Sequence, residues 1–238
     1  MFTTREGKAI RHAPAKPPRF GAGPNWDADA LRLGAGERMA RADYDVAFAF
    51  ADRRCRLIVP SARDLFLRAQ THKAAGRLEA AQLDLSAALA LDPTDAAIDR
   101  AALLWGASEA RAEAAARIAA RPSSDWALRR KAAAALFEAG ASLAHRLEHT
   151  GRGVSGWIAW TGEAALRIEM RGAGGRETFL VDSDPDHPLA AENCAAANIE
   201  IEAPETERLT LDRHAPDGAV ERVAPTRPAR PRPRPPAP

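Results

Sequence analysis

Residues 62–95 read ARDLFLRAQTHKAAGRLEAAQLDLSAALALDPTD. Leu65 and Ala69 lie four apart. Leu78, Ala81, Leu85, Ala88 and Leu89 recur at the three-to-four spacing of one helix face. Gly76 falls between the two runs, where a turn favours a left-handed residue, and Pro93 stops the second run. The stretch therefore predicts two antiparallel helices. Ala69 and Ala81 are small enough to let them cross closely.

The same pattern extends in both directions with a period of 34. Leu31 pairs with Leu65, and Ala35 with Ala69 and Leu103. Tyr44 pairs with Leu78 and Ala112, and Ala47 with Ala81 and Ala115. Several columns in one register mark stacked helix pairs. A weaker unit covers 28–60, with Gly34 and Gly36 in its first helix and Pro60 one residue late. A third runs from Ala96 to Arg121 and lacks the turn glycine. A last helix, from Asp125 to Ala139, follows the capping signal Ser123-Ser124 and stops at Gly140. It reads as a cap on the stack.

Leu65, Ala69, Gly76, Leu78, Ala81, Leu85, Ala88, Leu89 and Pro93 resemble the tetratricopeptide repeat family. The resemblance covers about residues 28–121. It implies a helical solenoid whose first helices line a concave protein-binding groove. On that face Arg32, Phe66 and Arg100 form a column at 34-residue spacing, with Arg63, Gln70 and Lys73 beside them. Four cations, an amide and a ring suit an extended, acidic protein segment, held by charge-assisted hydrogen bonds around a ring contact.

From Ser142 to about Val223 the period changes from helical to alternating. Leu166, Ile168 and Met170 alternate with charges, as do Ile199 and Ile201, and Leu209 and Leu211. Turn signals sit at Gly172-Ala173-Gly174-Gly175 and at Asp217-Gly218. Six or seven short strands predict a small antiparallel β-sandwich-like domain. The expected architecture is α+β and segregated: a disordered arm at 1–26, a helical repeat domain at 27–140, a small β domain at 141–224 and an Arg/Pro-rich linker or tail at 225–238.

Composition agrees. Of the 238 residues 56 are Ala and 13 are aromatic, which suits close-packed helices and disfavours an all-β chain. The net charge of +2 hides an uneven layout: the arm and the tail carry +4 each, and 141–224 carries −7. A basic nucleic-acid-binding face on the body is therefore not expected.

The order of parts also resembles, more loosely, the N-terminal non-catalytic region of bacterial family 2 glycosyltransferases, on residues 62–95, Gly153–Trp160 and 225–238. That resemblance implies a catalytic domain beyond Pro238 and a role in surface polysaccharide synthesis.

Chemical motifs are few. His145-x-x-Glu148-His149 matches an inverted zinc-peptidase pattern, but its flanking glycines place it on a strand, where the histidines stand too far apart to share a metal. Asp182, Asp184 and Asp186 resemble the start of a calcium loop, yet His187 stands where glycine is needed. Cys55 and Cys194 lack ligand-spaced partners. Trp157 and Trp160 should face opposite ways on a strand, one in the core and one stacking on a carbohydrate or on the helical domain. No cofactor, metal, catalytic group, secretory signal or membrane span is expected. The leading expectation is a non-catalytic, cytoplasmic protein-interaction or scaffold module.

Overall fold

A computed structural model describes residues 27–122, 124–150, 153–162, 165–172, 175–202, 210–214 and 220–223. The arm at 1–26, the tail at 225–238, Ser123, Leu209 and the turn signals at Ala173-Gly174 and Asp217-Gly218 lie outside them.

Helix starts fall where the sequence places capping residues. Helices α1 (Ala28–Ala40), α3 (Ala62–Ala74) and α5 (Ala96–Trp105) begin 34 residues apart. Asp27, Ser61 and Asp95 cap them at the same interval. Each side chain accepts a backbone N–H of the first turn, and Ser61 with Asp64 forms a full capping box. Helices α2 (Tyr44–Leu57) and α4 (Leu78–Leu91) start 34 apart as well. The chain thus forms a helical repeat.

Burial follows three of the expected columns, whereas in the Tyr44 column Leu78 is exposed. Ala35, Ala69, Ala47 and Ala81 are fully buried, and Leu31, Leu65 and Leu103 are buried with them. Leu31, Ala35, Phe50 and Ala51 form a cluster between α1 and α2, and Leu67 from α3 packs against it. Charges also cross this interior. Arg54 of α2 donates to Asp64 of α3 and to the Ala28 carbonyl of α1. Arg68 of α3 grips Asp84 of α4 with two hydrogen bonds of 2.8 and 2.7 Å and reaches Asp52 of α2 at 3.3 Å.

The periodicity breaks after α5. Gly106 ends that helix early, and a Cβ there would meet the Ala102 carbonyl oxygen at 2.6 Å. The next helix, α6, starts at Ser108, four residues before the position a third repeat requires. Two compact units divide between Ala107 and Ser108, so α6 (Ser108–Ala120) and α7 (Trp126–Glu138) belong with the strands. The reading of α7 as a cap on the stack is thereby corrected: α7 packs on α6 and on the first strand. Its own cap is also Asp125, whose side chain accepts from Leu128 N at 2.7 Å. Ser124 instead donates to the Ile118 carbonyl.

In the second unit, β1 (Leu143–Thr150), β2 (Gly153–Trp160) and β5 (Ala195–Glu202) form one antiparallel sheet in the order β1-β2-β5. Strands β3 (Ala165–Gly172), β4 (Gly175–Asp182), β6 (Thr210–His214) and β7 (Val220–Val223) form another, in the order β4-β3-β6-β7. Alternation sends Leu147, Val154, Ile158, Trp160, Ile199 and Ile201 to one face of the first sheet. There they share a core with Leu166 and Ile168 of the second sheet. The opposite face turns Ala144, Trp157, Ala159 and Ala196 against Ala119 of α6 and Ala133, Leu136 and Phe137 of α7. The architecture is α+β, with helices preceding antiparallel strands.

Gly156 makes the first sheet possible. Its φ is +153°, and a Cβ on it would run into the carbonyl oxygen of Arg146 on β1 and come within 3.0 Å of Leu147 Cα.

Candidate protein-binding face

The repeat sets α1, α3 and α5 side by side. Arg54 bridges the starts of α1 and α3. Arg63, at the start of α3, lies 3.5 Å from Asp95, the cap of α5. Lys73, near the end of α3, places its Nζ 5.1 Å over the ring of Trp105 at the end of α5. Start meets start and end meets end, so α3 and α5 run parallel, and residues at equal repeat positions form rows across them.

These rows carry most of the expected residues. Arg63 is exposed and only loosely engaged with Asp95. Phe66 and Gln70 are half-buried between the cations, and Lys73 is exposed beside Trp105. Arg100 is exposed on α5. Arg32, exposed on α1, leans to Asp29 at 3.7 Å.

Two apolar residues join this face unforeseen. Leu104 is 53% exposed and sits 34 residues after Gln70, so extending the Gln70 column would have found it. Trp105 is half-buried beneath Lys73. Its place depends on α5 stopping at Gly106, which the period alone does not predict. By repeat position Phe66, Leu104 and Trp105 bring apolar surface to these rows, beside Arg63, Lys73 and Arg100.

The side chains below the face are fixed by charge. Burial alone would push the Asp64 carboxyl up, but hydrogen bonds from Arg54 and Ser61 hold it below its ordinary value. The carboxylate of Asp84 raises the already high basicity of Arg68. Cys55, half-buried among these groups, has its thiol pushed up by burial, so it stays a neutral packing residue.

The other expected sites come out differently. Trp157 and Trp160 do face opposite ways on β2, but they are 3% and 0% exposed. Neither offers a ring face to a carbohydrate, and that expectation is corrected. Trp160 fills the core between the sheets. Trp157 packs under α7, edge-on to Trp126, with the Arg129 guanidinium over both rings. His145 and His149 lie on the strand β1 on one face, and Glu148 on the other. No group of three His, Cys, Asp or Glu residues placed to hold a metal ion occurs among the described residues. No helix among them is long and apolar enough to cross a membrane.

No family model matches the chain, and no curated protein matches it. Among solved structures, the crystal structure of PcrH from Pseudomonas aeruginosa aligns at a TM-score of 0.38 and 21% identity, over 50% of this chain and 96% of that one. Similarity at that level assigns neither family nor function.

Proposed function

We propose that the helical unit is a non-catalytic, tetratricopeptide-like protein-interaction module, and that α1, α3 and α5 form its binding groove. The carrying observation is the parallel docking of α3 and α5 through Arg63–Asp95 and Lys73–Trp105. It supports a strip of Phe66, Leu104 and Trp105 between the cations. An extended protein segment with an apolar anchor fits this strip, and acidic residues beside the anchor meet Arg63, Lys73, Arg100 and Arg32. Such ionic contacts, in exposed positions, serve selectivity and encounter rate more than affinity. The apolar anchor supplies most of the binding energy.

The glycosyltransferase accessory reading gains no support from the second unit, because the two tryptophans that would offer stacking faces are buried.

A peptide array tests the proposal. Acidic peptides with a central aromatic or Leu residue should bind better than neutral or basic ones. Arg63→Glu combined with Arg100→Glu should weaken binding about tenfold or more, the equivalent of roughly 1.4 kcal/mol. Equal binding of neutral peptides, or indifference to the charge reversal, would refute the groove.

A further inference from the structure

The β-containing unit carries a concave feature of its own. The turn at Thr161 and Gly162 and the loop from β4 to β5 border an open cavity of about 720 Å³. Ser183, Pro185, Ala190, Asn193 and Cys194 help wall it, and among the described residues Glu192 is the only charged one that lines it. Glu192 has no ion pair among the described residues. Along 182–195 the chain carries Asp182, Asp184, Asp186 and Glu192 and neither Lys nor Arg. A wall of small apolar and proline surface with carboxylate in and beside it fits a cation mounted on an apolar, proline-rich chain.

We infer that this cavity is a docking site for the chain's own Arg/Pro-rich segment, residues 225–238, through Arg230, Arg232 and Arg234. The segment holds four Arg and seven Pro and no acid, the charge complement of the loop.

Strand registers give the reach. Val223 pairs with Leu211, which pairs with Met170. Asp182, at the mouth of the cavity loop, pairs with Ala165, five residues away along β3. The offset is about 17 Å along the strands and about 14 Å across three strand spacings, so roughly 22 Å in all. Four residues separate Val223 from Arg227, which reach at most about 14 Å. Seven to eleven separate it from Arg230 to Arg234, which reach about 25–40 Å. The backbone at Arg227 therefore stops about 8 Å short of Asp182, at the edge of a fully stretched side chain's reach, whereas the backbone at the later three arginines reaches it.

Cys194 lines the cavity and reports on its occupancy. Cys55 lies in the other unit and acts as an internal clock. The test is the labelling rate of each thiol in the full-length chain with a small neutral alkylating reagent, resolved by peptide mass spectrometry. A tethered segment at millimolar effective concentration, binding with an affinity near 0.1 mM, protects about tenfold. The triple variant Arg230→Glu, Arg232→Glu, Arg234→Glu should speed Cys194 labelling by that factor and leave Cys55 unchanged. High salt should act in the same direction, and Arg227→Glu should have a smaller effect than the triple variant. Simple electrostatics runs the other way, because removing nearby cations disfavours the thiolate and slows labelling. Equal rates in wild type and triple variant would overturn the inference. So would protection lost on dilution, which would mean the segment of a second copy, or an effect of Arg227→Glu as large as that of the triple variant.

Discussion

Ala42 and Gly76 occupy the same turn of successive repeats, 34 residues apart, and both are left-handed, with φ of 58° and 75°. Gly76 adopts this conformation freely. Ala42 is the one non-glycine residue with positive φ among the described residues, and its Cβ crowds the following carbonyl. The repeat geometry dictates the turn, and in the first unit the wrong residue fills it. Ala42→Gly should raise stability by about 1 kcal/mol, and Gly76→Ala should lower it by about as much. Urea unfolding of both variants, followed by circular dichroism, checks the pair. A destabilised Ala42→Gly would show that the turn is not left-handed in solution.

Ala81 is fully buried where α4 crosses α3, and it has no room for three further carbons. Ala81→Leu should overpack the crossing and cost roughly 1–3 kcal/mol. The melting temperature should fall by several degrees. Leu83, two residues on and 74% exposed, provides the control, because Leu83→Ala removes no buried contact. An unshifted melting temperature for Ala81→Leu would contradict the packing of the repeat.

Gly156 should be the least replaceable residue of the first sheet. Gly156→Ala drives a methyl into the Arg146 carbonyl and imposes positive φ on a residue with a side chain. Combined strain and overpacking should cost about 3 kcal/mol or more. Trp157 and Trp160 flank the site, so tryptophan fluorescence should shift toward that of exposed indoles at lower denaturant concentration. Retained wild-type unfolding would mean that β1 and β2 can separate without loss.

The helices of the first unit were legible because a 34-residue period places caps and small residues redundantly. Asp27, Ser61 and Asp95 repeat the signal given by Ala35 and Ala69. The boundary at Ala107 was not legible. Ala114, Ala115 and Ala119 satisfy a helix-pair column and a sheet-facing stripe equally well, and only the early stop at Gly106 decides between them. Arg63, Phe66, Gln70, Lys73 and Arg100 were readable from repeat position. Trp105 was not, because its placement follows from that same stop. The ionic links Arg54–Asp64 and Arg68–Asp84 also escaped notice, since charges in a sequence read by default as surface.

Acid should loosen the second unit through His187. This residue is buried. Its Nδ1 accepts a hydrogen bond from Leu189 N at 3.2 Å, which requires the unprotonated nitrogen, and its ring lies edge-on to Trp126. Burial holds its imidazole below the ordinary value of 6.5. A depressed folded-state value means that the unfolded chain takes up the proton first, so the stabilisation is complete above about pH 6.5 and declines as pH falls below it. His72, depressed by burial and by Arg77, does the same in the first unit. Unfolding free energy measured at pH 7.5 and 5.5 should therefore drop on acidification. The drop should shrink in His187→Gln, which keeps a polar acceptor without titrating. An equal drop in wild type and variant would exclude His187 as a source.

Arg54 and Asp64 form a buried pair whose members need each other. Arg54 binds the Asp64 carboxylate and the Ala28 carbonyl, and so ties α2 to α3 and to the start of α1. Asp64 also completes the Ser61 capping box, accepting from Ser61 N at 3.0 Å and from Ser61 Oγ at 2.8 Å. Asp64→Ala leaves a largely buried guanidinium with only the exposed carboxylate of Asp29, 3.5 Å away, as counter-ion, and removes half of a cap. A loss of roughly 3–5 kcal/mol should follow. The double change Arg54→Leu with Asp64→Ala removes both charges together and should recover most of that loss, because the desolvation of a poorly paired charge is the larger part of it. Adding Arg54→Leu to an Asp64 variant should thus be stabilising, although alone it is harmful. Denaturant melts of the two singles and the double close the cycle. If the two single losses simply add in the double variant, the pair does not act as a unit, and its role in joining α1, α2 and α3 would have to be abandoned.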